Sequence, residues 1–101
     1  MKAIAIDLQN KTVKEVSIYG DRTSICDILQ SDDYVIGTYD TNNFDTLYVD
    51  PVAQSHSDGP LFEWKGKRFH GNGVIIGTTM EGEHSTVETK LSNVKVNFIA
   101  Q

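Results

Sequence analysis

Apolar and polar positions alternate from the first residues: Ile4, Ile6 and Leu8 fall on one side of residues 2–8, the period of a half-buried strand. Gln9-Asn10-Lys11 then reads as a turn into a second strand at about 12–19 carrying Val16 and Ile18, which makes a β-hairpin. After Gly20 the period changes. Asp21-Arg22-Thr23-Ser24 supplies a carboxylate and hydroxyls for capping, and Ile25, Ile28 and Leu29 follow at helical spacing, so a short helix is predicted over about 22–31. Asp32-Asp33 ends it. The β-branched and aromatic run 34–39, a turn at Asp40–Asn43 and the apolar run Leu47-Tyr48-Val49 predict a second hairpin closed by Pro51. Residues 52–60 form the longest polar loop.

The second half repeats this logic. Phe62-Glu63-Trp64 and Arg68-Phe69-His70 flank Lys65-Gly66-Lys67, where the glycine supplies the positive φ of a tight hairpin. Asn72-Gly73 turns the chain into Val74-Ile75-Ile76, apolar on both faces and therefore a central strand. Glu81-Gly82-Glu83 is another turn. Ser85-Thr86-Val87-Glu88 has the spacing of a capping box, with Val87, Leu91 and Val94 at helical intervals behind it. This predicts a helix over about 86–93 and a strand through Val96–Ile99, against a competing hairpin through 84–99. The fold class that results is α+β: one domain, mainly antiparallel sheet, with one or two short helices packed on one face.

Length and composition narrow the class further. The 101 residues, 39% hydrophobic and 23% charged, predict one folded unit with its own core. Neither a leader pattern nor an apolar stretch long enough for a bilayer is present, so a cytoplasmic protein without a membrane role is expected. The lone Cys26 lies among Ile25, Ile28 and Leu29 and reads as a small core residue, with only Arg22 near enough to activate a thiol.

Charge is uneven along the chain. Between Asp21 and Glu63 nine carboxylates stand against the single Arg22. Such a section repels phosphate, so duplex nucleic acid is not an expected partner. It reads either as a solvated surface or as a lure for a basic partner, with Asp32, Asp33 and Asp40 beside Tyr39 and Tyr48 as the candidate contacts. Phe62 and Trp64 are further candidate aromatic anchors.

Ile28-Leu29 leading to Asp33-Tyr34-Val35-Ile36, then Leu47-Tyr48-Val49-Asp50, Lys65-Gly66-Lys67 and Gly73-Val74-Ile75-Ile76-Gly77 resemble a family of small phage and plasmid proteins known only as a domain of unknown function. The likeness spans most of the chain through loose motifs. Residues 52–60 depart from it, because the family continues there through a longer Asn/Leu/Pro-containing segment. The resemblance implies an accessory protein of a virus or mobile element acting inside a bacterium, and it implies no catalytic residues.

Candidate chemistry is sparse. His56, His70 and His84 lie in separate loops or strand ends and lack the close ligand spacing of a zinc site; His56-Ser57-Asp58 comes nearest. No nucleophile-elbow pattern surrounds Ser55 or Ser57. Gly71-Asn72-Gly73 leads into a strand, whereas phosphate loops lead into a helix. No enzyme, metal or cofactor is therefore expected. Three binding readings stay open. The protein docks on and inhibits a host defence protein; it sequesters a small anionic, nucleotide-like ligand with Lys65, Lys67 and Arg68 around Trp64, Phe69 and His70; or its edge strands pair into a homodimer in an assembly role.

Overall fold

The computed structural model describes residues 1–55 and 58–100. Its centre is an antiparallel sheet of β1 (Lys2–Asp7), β2 (Thr12–Ser17), β3 (Val35–Tyr39), β4 (Thr46–Val49) and β7 (Gly73–Thr78) in the order β2-β1-β7-β4-β3. A two-residue strand, β8 (His84–Ser85), pairs with the end of β7. A second antiparallel sheet contains β5 (Leu61–Trp64), β6 (Lys67–His70) and β9 (Asn97–Ile99) in the order β6-β5-β9. Helix α1 (Arg22–Leu29) lies on the outer face of the large sheet, and the small sheet lies under its inner face. The architecture is the α+β arrangement expected from the sequence.

Strand alternation explains the three layers. Ile4, Ile6, Leu47, Val49 and Ile75 point down onto Phe62, Trp64 and Phe69 of the small sheet. Ala3, Tyr48, Val74 and Ile76 point up against Ile25 and Leu29 of α1. β7 is buried on both faces because it is the middle strand, hydrogen-bonded to β1 on one side and β4 on the other. Helix α1 begins where the Asp21 side chain accepts from the Ser24 backbone N–H at 2.9 Å, and it stops at Gln30, which takes the left-handed conformation at φ 53°. Its i, i+4 pair Ile25 and Leu29 is almost wholly buried, about 2 kcal/mol of apolar burial each.

The β5–β6 hairpin is tighter than a single glycine suggests. Trp64 pairs with Lys67, so Lys65 and Gly66 alone form the turn, and both have positive φ, 53° and 76°. This is the two-residue turn whose twist matches paired strands.

Two expectations are corrected. Residues 86–93 do not form the predicted helix, nor do 84–99 form one hairpin: after β8 the chain is extended, with a single 3-10 turn at Leu91–Asn93 before β9. The apparent capping box is outcompeted, because Ser85 pairs with Gly77, the Val87 N–H donates to the Lys2 carbonyl, and the Glu88 and Thr89 N–H groups donate to Asp45. The second short helix instead lies in the polar loop. Helix α2 (Pro51–Gln54) is capped by Asp50, with proline at its first position. Gln54 then clamps it to the small sheet, donating to the His70 carbonyl at 2.7 Å and accepting from the His70 N–H at 3.0 Å.

Candidate docking surface

An eight-residue helix is about 12 Å long, whereas five strands span roughly 19 Å, so α1 cannot cover the whole outer face. It covers β1, β7 and part of β4. Beyond it, toward β3 and the β7–β8 turn, no helix among the described residues covers the sheet. There Tyr39, Phe44, Thr46, Thr78, Thr79, Met80 and Gly82 line an open groove of about 440 Å³. Tyr39 is 52% exposed, Phe44 56%, and Met80 fully. The Thr46 and Thr78 hydroxyls bond to each other across the groove floor at 3.0 Å.

Phe44 is held in an unfavourable conformation. Its φ is 62°, a region that bulky side chains avoid at a cost of about 1–2 kcal/mol, yet its ring is exposed and stacks on Tyr39 with centroids 6.4 Å apart. The turn forces this. Asp40 Oδ1 accepts from the Asn42 N–H, the Asp40 carbonyl accepts from the Phe44 N–H, and Asp45 closes the loop by donating its N–H to Asn43 Oδ1.

Asp45 is the anchor of this region. Fully buried, its carboxylate accepts from the Glu88 N–H at 2.9 Å, the Thr89 N–H at 2.8 Å and the Thr89 hydroxyl at 2.7 Å. It fixes the 86–89 segment to the β3–β4 turn. Asp40, also buried, pairs with Lys65 at 2.8 Å, and Lys65 together with the Asn42 N–H holds its carboxyl below the ordinary range. Among the candidate partner residues, Asp40 is thus occupied within the chain.

Tyr48 is likewise internal. Its hydroxyl lies 3.1 Å from His84 Nε2, and His84 Nδ1 lies 2.8 Å from the Gly20 carbonyl. A carbonyl only accepts, so Nδ1 carries the proton and Nε2 accepts from Tyr48. Burial, with Tyr34 nearby, pushes the Tyr48 phenol up. Tyr34 meets Tyr48 edge-on at 5.3 Å, and the Arg22 guanidinium sits over the Tyr34 ring. Tyr48 therefore braces the sheet face beside the groove, and Tyr39 alone of the two tyrosines reaches solvent.

Asp32 and Asp33 meet Asp27 and Asp50 around a cleft of about 530 Å³ where α1 ends, together with the half-buried Cys26. Asp33 is bonded by the Tyr34 N–H and by Arg22 at 3.0 Å, which hold its carboxyl below the usual range. Among the described residues no group of His, Cys, Asp and Glu has the arrangement of a metal site.

The cationic hairpin does not present its residues together. Trp64 and Phe69 are buried in the core, where the Phe69 ring packs on Phe62 at 5.6 Å. Lys65 is paired with Asp40 and lies over the Trp64 ring, Arg68 bonds Glu63 at 3.2 Å, and His70 Nδ1 lies 3.3 Å from the Pro60 carbonyl. Only Lys67 points to solvent without an ion pair among the described residues. A depression of about 340 Å³ reaches Trp64 and Lys65 from the side of Thr89, Asn93 and Lys95. His70 and His84 bond to different backbone carbonyls, and His56 and Ser57 lie outside the described residues.

Sequence reasoning missed Phe44, Met80 and Asp45. The first two carried a signal, since each is a large apolar residue inside a polar turn, Asn42-Asn43-Phe44-Asp45 and Thr78-Thr79-Met80-Glu81. No helix among the described residues is long and apolar enough to cross a membrane. Comparison of the chain with protein-family models, curated proteins and solved structures gives no match.

Proposed function

We propose that the protein acts by binding rather than by catalysis, docking on another protein through the Tyr39–Phe44–Met80 groove. The observation that carries this reading is a largely apolar groove with an exposed aromatic at positive φ and exposed carboxylates next to its Met80 edge. Glu81 and Glu83 are the exposed charges beside Met80, and neither 34–50 nor 73–88 contains a lysine or arginine. Within the chain the ring's aromatic contact is with Tyr39, itself half exposed, against a backbone conformation that costs a bulky residue about 1–2 kcal/mol. A partner of complementary chemistry offers an apolar side chain flanked by Lys or Arg. The resemblance to small phage and plasmid proteins supports an accessory protein that inhibits a host protein in the bacterial cytoplasm. The 62–70 hairpin lends no comparable support to small-anion capture, because its rings are buried and two of its cations are already paired.

The test is to capture the partner from bacterial lysate on immobilised protein, purify it and titrate it calorimetrically. Phe44→Asn and Met80→Ser are each expected to weaken binding by about tenfold or more, and added salt to weaken it further. Tyr19→Ala removes a still more exposed ring elsewhere and is expected to change nothing. Phe44→Asn should melt no lower than the parent, since asparagine tolerates positive φ. Unchanged affinity in both groove variants would sink the proposal.

A further inference from the structure

The sheets have edges of very different character. β2 carries Lys14 and Glu15, with Lys2 paired to Glu15, and is flanked by the 3-10 turn. β6 carries Lys67 and Arg68. β9 is three residues long. Charged side chains and short length are the usual protection against edge-to-edge pairing. β3 has neither. Its sequence is Val35-Ile36-Gly37-Thr38-Tyr39, Ile36 is 61% exposed, and Val35 and Tyr39 are exposed as well. Apart from the β4 ladder, no hydrogen bond among the described residues reaches the backbone of Val35–Tyr39.

We propose that the outer edge of β3 pairs antiparallel with β3 of a second copy, joining the two large sheets into one. The charge distribution selects a second copy over a basic partner here. Antiparallel self-pairing brings the Asp33 end of one strand beside the Asp40 end of the other, and repulsion between these ends would oppose it. Asp33 is paired with Arg22 at 3.0 Å and Asp40 with Lys65 at 2.8 Å within each chain, so the exposed Asp32 is the carboxylate left near these ends, and salt screens it. What remains between them is uncharged and largely apolar, which suits a like surface and offers a cationic strand nothing. The bulge between Ile36 and Thr38 limits the regular pairing on each side of Gly37, so the dimer is concentration-dependent. The groove lies on the sheet face, and of its lining residues only Tyr39 belongs to β3.

Sedimentation velocity from about 10 µM to about 1 mM tests this. The expected result is a shift from 11.2 kDa toward twice that mass, strengthened by salt because each copy carries a net charge of −5. Ile36→Lys and Thr38→Lys, with unchanged circular dichroism, should each abolish the shift, and Lys14→Ala on β2 should not. The opposite salt dependence separates this contact from groove docking, so either can fail alone. A chain that stays monomeric throughout, or an assembly indifferent to both β3 variants, overturns the proposal and leaves the edge to a foreign strand.

Discussion

Single carboxylates organise this protein more than its net charge does. Asp45 has no exposed surface and serves three donors from a segment more than forty residues away. Asp45→Ala leaves those donors without an acceptor, and we expect a loss of about 3 kcal/mol in urea unfolding at constant m-value, partly recovered in Asp45→Asn. Asp40 makes a different contribution. Its carboxyl is held low by Lys65 and the Asn42 N–H, so its stabilisation is complete above the unfolded value near pH 4 and is lost as pH falls through the lower folded value. Asp40→Asn should therefore melt below the parent at pH 7, with the gap closing as acid is added below pH 4. None of this was legible in the sequence. Both aspartates sit where turns ordinarily place aspartate, and only the fold shows which are buried.

At the scale of elements, legibility followed the range of the determining contacts. The hairpins at 2–17 and 35–49, α1 and the turn at Lys65-Gly66 came from local period and local turn chemistry, and the structure contains them. Pro51 reads as closing a strand, although behind Asp50 it also suits the first position of a capped helix, and the Gln54 clamp on His70 holds α2 in place. The 86–93 segment failed for the opposite reason: its local helical pattern is sound, but pairing with β7 and the Asp45 carboxylate take its backbone donors first. Of the residues that line the proposed groove, the sequence reading named Tyr39 as a candidate contact and overlooked Phe44 and Met80, the two apolar residues carried in turns. One element-level prediction concerns the β3 bulge. Gly37 lies against the buried Phe69 ring, which would be 2.7 Å from an added Cβ, so Gly37→Ala should cost about 1–3 kcal/mol in thermal or urea unfolding.

The whole molecule is arranged around a strand that arrives late in the chain. β7, residues 73–78, separates two hairpins made earlier, β1–β2 and β3–β4, and neither pairs with the other without it. Both apolar faces of the large sheet depend on its Val74, Ile75 and Ile76. During synthesis, then, the chain must leave the ribosome as far as Thr78 before the sheet can close. Until that moment the two hairpins hold open strand edges on their facing sides, which are adhesive to any neighbouring extended chain. The step that ends this exposure is the insertion of one strand between two others, a non-local event that is slow compared with hairpin formation. Substitutions in Val74–Ile76 would thus be felt first as poor yield and aggregation in the cell, ahead of any measurable change in what the finished protein binds.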